Sequence, residues 1–248
     1  MEINKPTILI LHGWGSSSDS WVKVGEILKS QGYQVFRPDL PGFGLEAPPT
    51  TTWGIDDYLE WVNRFYLQNN LKGFFLLGHS FGGRVAIKFA VRYPEKLKGL
   101  ILFSAAGVTP RPKFKLSLIS TLSKIGGGIL SLPVLNLFKT AVRKTVYFVL
   151  GTRDYYFLSN ETMRETFKKT IEEDLSSSLN QIKAKTLIVW GEKDYVTPLG
   201  DARRMNRKIP NSLIKTIPDE GHNIHLKSPG KLSREIIWFL NSLKENDG

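Results

Sequence analysis

The chain has 248 residues, 41% of them hydrophobic and none of them cysteine, which suits one domain with room for an insertion and excludes disulfides, thiol chemistry and thiolate metal sites. Lys and Arg outnumber Asp and Glu by 34 to 23, a net charge of +11. The excess is local: residues 96–153 hold ten basic and no acidic side chains, leaving 24 basic against 23 acidic elsewhere.

From its start, Met1-Glu2-Ile3-Asn4-Lys5-Pro6, the chain lacks a charged-then-apolar signal pattern. No apolar run reaches the roughly 18 residues that a spanning helix needs, so the expectation is a cytoplasmic protein without membrane insertion. Apolar runs then alternate with helical patterns. Strands are predicted near 7–11, 33–37, 73–77, 99–103, 185–190 and 212–217, and helices near 18–31, 54–69, 81–93, 200–208 and 229–243. That alternation predicts an α/β fold, a mostly parallel sheet of about six strands with helices on both faces.

Between about 107 and 180 the alternation breaks. Thr109-Pro110-Arg111-Pro112 leaves the core, followed by Leu116 to Leu122, a break at Gly126-Gly127-Gly128, Leu130 to Leu150 and a polar helix near 160–173. This reads as a helical cap, 107–180, inserted into a core made of 1–106 and 181–248. Its apolar residues can line an acyl pocket or pack the cap on the core, and the glycine triplet is either a hinge for lid motion or a plain turn. Its basic side chains can favour anionic substrates or surfaces. It carries no recognisable nucleic-acid module, so nucleic acid is not an expected partner.

The chemistry concentrates in Phe74-Phe75-Leu76-Leu77-Gly78-His79-Ser80-Phe81-Gly82-Gly83. Here G-x-S-x-G follows an apolar run and precedes a helical pattern. A serine on such a sharp strand-to-helix turn is strained and exposed, which suits a nucleophile, and the glycines leave room for the neighbouring backbone. A nucleophilic serine needs a base, an acid to orient it and donors for an oxyanion. Of the four histidines, His12 lies in a glycine-rich loop and His79 inside the serine turn. That leaves His222 and His225, and His222 sits in the polar loop Asp219-Glu220-Gly221-His222 after a strand. His225 reads as a solvent-facing or helix-capping residue. For the acid, Glu192 and Asp194 both follow the run Thr186 to Trp190. The oxyanion donors are the backbone N–H of Phe81, next after the serine, and of Trp14 in His12-Gly13-Trp14-Gly15, the loop after the first strand. The aromatic residues Trp14, Trp21, Phe43, Phe81, Tyr155 and Tyr156 are candidate pocket liners. With no H-x-x-x-H spacing and no cysteine, no metal or cofactor is expected.

These pieces together resemble the α/β-hydrolase superfamily, in particular serine carboxylesterases with a helical cap. The matching stretches are Pro6 to Trp21, Phe36 to Gly44, Leu77 to Ala90, Lys185 to Pro198 and Ile217 to His222. The resemblance selects Asp194 over Glu192 and implies the triad Ser80, Asp194 and His222. It also implies that the two leading antiparallel strands of larger members are missing. A serine at position 80 argues against the members that use an Asp nucleophile.

The expected activity is hydrolysis of carboxylic esters with a small to medium acyl group, through an acyl-enzyme, the partner being a small-molecule ester. A second reading is carbon–carbon bond hydrolysis of ketonic acids with the same triad, Arg143, Arg153 or Arg164 serving the substrate's carboxylate. A third is a hydrolase-like receptor without turnover, disfavoured because a binder gains nothing from a strained serine.

Overall fold

A computed structural model describes residues 6–108 and 160–244. Six strands form one sheet: β1 (Thr7–Leu11), β2 (Gln34–Phe36), β3 (Phe74–His79), β4 (Leu97–Phe103), β5 (Thr186–Gly191) and β6 (Ser212–Ile217), in the order β2-β1-β3-β4-β5-β6. Every neighbouring pair is parallel, so the sheet is wholly parallel where the sequence reading had it mostly so. The helices are α1 (Val22–Ser30, preceded by a 3-10 turn at Ser18–Trp21), α2 (Ile55–Gln68), α3 (Phe81–Arg92), α4 (Glu161–Glu172), α5 (Leu199–Lys208), α6 (Ile224–Lys227) and α7 (Pro229–Lys244).

Side chains alternate across a strand, so a sheet covered on both faces needs apolar residues at successive positions. The four inner strands β1, β3, β4 and β5 obey this over most of their length, whereas the edge strands β2 and β6 are partly exposed. Leu9, Leu11, Leu76, Leu100, Leu102, Ile188 and Trp190 pack with residues of α2, α3 and α5 in one cluster. Ile8, Ile10, Phe75, Leu77, Ile101, Phe103, Leu187 and Val189 pack with residues of α1 and α7 in the other. The chain starts in mid-sheet at β1, moves out to β2 and returns past β1 to β3. Loops at the carboxyl ends of β1 and β3 therefore diverge at a switch point, where sheets of this kind bind ligands.

The helix expected near 160–173 is α4. Asn160 caps it, its side chain accepting from the Met163 amide at 3.3 Å. Its buried residues face the core. Thr166 Oγ1 accepts from the Trp53 amide at 3.0 Å, and Phe167 meets Trp14 at 4.9 Å between ring centroids. At the other end the buried Arg84 of α3 donates to the Glu173 carbonyl at 2.8 Å. A cation there suits the negative end of the helix dipole. Lys88 adds ion pairs to Glu173 (2.6 Å) and Asp56 (2.7 Å). The remaining features read for the insertion, Leu116–Leu122, Gly126–Gly128, Leu130–Leu150, Arg143, Arg153, Tyr155 and Tyr156, lie outside the described residues. Among the described residues no helix is long and apolar enough to cross a membrane.

Two expectations are corrected. His225 is not solvent-facing: it is buried on the short helix α6, which the sequence reading did not anticipate, and stacks on Trp21 at 4.6 Å and 15°. Trp21 is fully buried in the cluster between sheet, α1 and α7, so it packs the core rather than lining a pocket.

Candidate active site

Ser80 stands between β3 and α3, with φ 51° and ψ −111°. A left-handed φ is costly for a residue with a Cβ and persists only where the surroundings enforce it. Three glycines enforce it by allowing close approach. A Cβ on Gly78 would stand 2.7 Å from Ala86 Cβ; one on Gly82 would run into the Leu11 and His12 carbonyls; one on Gly83 would run into Ala105. The turn is also tied down through the main chain. Ser80 N donates to the Phe103 carbonyl at 3.3 Å, and the Ser80 carbonyl accepts from Gly83 N and Ala106 N at 3.0 Å each.

Phe81 is the first residue of α3, where helix geometry leaves the N–H without an intrahelical acceptor and at the positive end of the dipole. Gly13 and Trp14 approach from the β1 loop. A Cβ on Gly13 would lie 3.3 Å from Ser80 Cβ, so the two segments are in contact. His12 braces this loop. Its Nε2 accepts from the Leu40 amide at 2.9 Å, which leaves the proton on Nδ1 to donate to the Gly13 carbonyl at 2.8 Å. Burial pushes the His12 pKa down, against the opposing pull of the Gly13 carbonyl and Asp39. The Trp14 ring is half-buried and meets Phe43 (4.9 Å), Phe81 (5.1 Å) and Phe167 edge-on or tilted.

Asp194 and His222 are brought together. Asp194 follows β5 and its carboxylate is fully buried; His222 follows β6. Nδ1–H of His222 donates to Asp194 Oδ2 at 2.8 Å. Asp194 Oδ1 accepts from the amides of Val196 and Thr197, each at 2.9 Å, a tight turn made by Asp-x-x-Thr. Burial opposes ionisation of this carboxyl, but the hydrogen bond and charge of His222 with the Thr197 amide outweigh it, holding its pKa below the usual carboxylate value. Glu192 is exposed and makes no such contact.

The loops after β5 and β6 are clasped together. Lys193 N donates to the Glu220 carbonyl at 2.7 Å, and Lys193 Nζ pairs with Asp219 at 2.7 Å. Gly191 lies so close to the Glu220 and Gly221 carbonyls that no side chain fits there. Glu220 accepts from Ser228 Oγ (2.6 Å) and Lys231 Nζ (2.8 Å), anchoring the loop after β6 to α7.

Ser80 and His222 are linked by His79 rather than by a direct hydrogen bond between described side chains. His79 Nε2 donates to the His222 carbonyl at 3.2 Å, and the two rings lie 4.8 Å apart. Sites of this type commonly tighten only when substrate is bound. Three contributors escaped the sequence reading. Thr197 carried a signal in its spacing from Asp194. His79 carried one in occupying an inward-facing strand position beside the serine. Phe167 carried none, because its contact with Trp14 is long-range.

Residues 6–122 and 151–229 match the profile described as alpha/beta hydrolase fold. Monoacylglycerol lipase ABHD6 of Homo sapiens is 29% identical over 265 residues, covering 98% of this chain and 78% of the relative. A 2-hydroxy-6-oxononadienedioate/2-hydroxy-6-oxononatrienedioate hydrolase of Paraburkholderia phymatum is 26% identical over 253 residues, covering 95% and 87%. Among solved structures, the esterase EaEST from Exiguobacterium antarcticum superposes with a TM-score of 0.75 at 23% identity, covering 95% of this chain and 92% of that one. The parallel six-stranded sheet, the strained serine after β3 and the profile match along most of the length lead to one conclusion: the chain belongs to the α/β-hydrolase fold family.

Proposed function

We propose that this protein is a serine hydrolase cleaving carboxylic esters of small to medium acyl chain through an acyl-enzyme intermediate. The observation that carries the reading is the Asp194–His222 hydrogen bond of 2.8 Å at the same sheet end as a serine held at φ 51°. In this mechanism Ser80 Oγ attacks the ester carbonyl and His222 Nε2 takes its proton. Phe81 and Trp14 amides hold the oxyanion, and Asp194 keeps the imidazole in the Nδ1–H tautomer and stabilises the imidazolium. His222 then protonates the leaving alkoxide. Water, deprotonated by His222, cleaves the acyl-enzyme and frees Ser80.

The lipase and esterase names of relatives support ester cleavage. Rates on p-nitrophenyl esters from acetate to laurate test it. Wild type is expected to peak at short or medium chains, and Ser80→Ala to lose turnover by roughly 10⁴-fold or more. Turnover retained by Ser80→Ala removes the mechanism. The Paraburkholderia relative favours a second reading, carbon–carbon bond hydrolysis by the same residues. A dienone acid cleaved faster than every ester of the series selects it.

A further inference from the structure

His79 has no part in the chemistry above, yet it touches the loop after β1 and the loop that carries His222. As the last residue of β3 it precedes Ser80 directly. Strand alternation sends its ring to the α1/α7 side, where it stacks on Phe103 (4.7 Å, 21°) and meets the edge of Trp21 (5.9 Å). His222 lies 4.8 Å and His225 4.6 Å from the His79 ring, centre to centre. Its Nδ1 fills the space beside Gly13, where a Cβ would stand 3.1 Å away. Its Nε2 lies 3.2 Å from the His222 carbonyl oxygen. A carbonyl only accepts, so Nε2 must carry the proton and Nδ1 must be bare.

We propose that His79 is a positioning residue for the base: by donating Nε2–H to the main-chain carbonyl of His222, it sets the distance between His222 and its own neighbour Ser80. The inference rests on the triad reading above. Asp194 fixes the orientation of the imidazole from behind, through Nδ1. It does not fix how far the base loop stands from β3. The His79 hydrogen bond does, because His79 and Ser80 share one rigid strand end while the His222 carbonyl belongs to the facing loop. Packing against Phe103 and Trp21 locks the ring, so the donor is preorganised. Burial, foremost, and the neighbouring imidazoles of His222 and His225 favour the neutral ring. A neutral His79 does not oppose the imidazolium that forms on His222 during acyl transfer.

The test compares His79→Gln, which keeps an N–H donor near the Nε2 position, with His79→Phe, which keeps the ring shape but removes the donor. The readouts are kcat and KM on p-nitrophenyl acetate and the rate at which a fluorophosphonate inactivates the enzyme. Misplacing a catalytic group by about 1 Å can cost roughly 10²-fold. His79→Phe is therefore expected to lower kcat and inactivation rate by about 10–100-fold with KM little changed, and His79→Gln to recover most of both. Wild-type rates in His79→Phe, or equal losses in both variants, overturn the proposal. Should His79→Phe fail to fold, imidazole nitrogen NMR of the wild type with isotope-labelled histidine decides. A neutral Nε2–H tautomer for His79 near neutral pH is required, and an Nδ1–H tautomer overturns the assignment. A wild type that neither turns over esters nor reacts with fluorophosphonate rejects the esterase reading instead, and the NMR result still stands separately.

Discussion

Thr197 Oγ1 lies 3.2 Å from Nδ1 of His222 and 2.9 Å from Asp194 Oδ2, inside the angle between base and acid. It is also within 3.1 Å of the Ser104 carbonyl. The single hydroxyl proton goes to Asp194 or Ser104, and the oxygen lone pair faces the imidazole N–H. Thr197→Val keeps the shape and removes the hydroxyl. A buried hydrogen bond lost this way costs on the order of 1–2 kcal/mol, about 5–30-fold. The expected result is a kcat fall of that size with KM unchanged, measured on a short p-nitrophenyl ester. An unchanged kcat would mean Asp194 alone orients His222.

Asp194→Asn tests the acid more severely. The amide can present its NH₂ to Nδ1, which forces the imidazole into the wrong tautomer for accepting the serine proton. In a comparable triad that change lowers kcat about 10⁴-fold, and the same order is expected here. A loss below tenfold assigns the acid elsewhere.

Stability should fall in mild acid through His225. Burial, with a smaller contribution from His222, pushes its pKa from 6.5 to about 4. The unfolded chain takes up a proton near 6.5, while the folded chain resists until about pH 4. The unfolded state therefore binds more protons in that window, and stability declines as pH drops through it. The stabilisation is fully present above about 6.5 and lost by about 4, on the order of 3 kcal/mol in all. Melting curves between pH 7 and 4 should slope accordingly, and His225→Phe, which keeps the stacking on Trp21, should reduce the slope, the buried His12 and His79 carrying the rest. The depressed carboxyl of Asp194 acts lower, its contribution lost as pH falls through its folded pKa below 3.8.

Gly82→Ala places a methyl group against the Leu11 and His12 carbonyls, main-chain atoms of β1 and the loop after it that cannot move aside. Overpacking of this kind costs about 1–3 kcal/mol or more, so a lower Tm and lost activity are expected together. Gly200→Ala is the control. Nothing lies within 4 Å of its new Cβ, and an alanine in the first turn of α5 should leave Tm unchanged or raise it. Equal effects at both positions would contradict the close-approach account.

Phe167→Leu tests whether α4 bears on substrate choice. The ring packs on Trp14, whose amide is the proposed second oxyanion donor. A smaller side chain costs about 1–2 kcal/mol of stability and frees space beside that loop. The acyl-length optimum is expected to shift to longer esters, with kcat on acetate reduced. An unmoved profile would remove α4 from the acyl site.

The sheet was legible in the sequence because parallel strands buried on both faces must be continuously apolar, as in Leu9-Ile10-Leu11 and Leu187-Ile188-Val189. Ser80 was legible because glycines at 78, 82 and 83 have one physical explanation in that setting. The pairing of His222 with Asp194 was legible from chain order and the loops that carry them. What stayed hidden depends on distant contacts. That His225 is buried rather than solvent-facing is decided by Trp21, some two hundred positions earlier in the chain. That Arg84 would meet the last carbonyls of α4 has no local trace, since α4 packs back on α3 only after a long insertion. Thr197 was missed although Asp-x-x-Thr is a turn pattern, because a hydroxyl shared between acid and base is recognisable only once β4, β5 and β6 are side by side.

In the proposed mechanism Ser80 carries the acyl group. Acid-quenching the protein during turnover of p-nitrophenyl butyrate, then mapping the tryptic peptide spanning residues 73–84 by mass, tests it most directly. The expected result is a butyryl adduct on Ser80 in the wild type, and neither adduct nor turnover in Ser80→Ala. Undiminished turnover by Ser80→Ala, or an adduct confined to another residue, would contradict it.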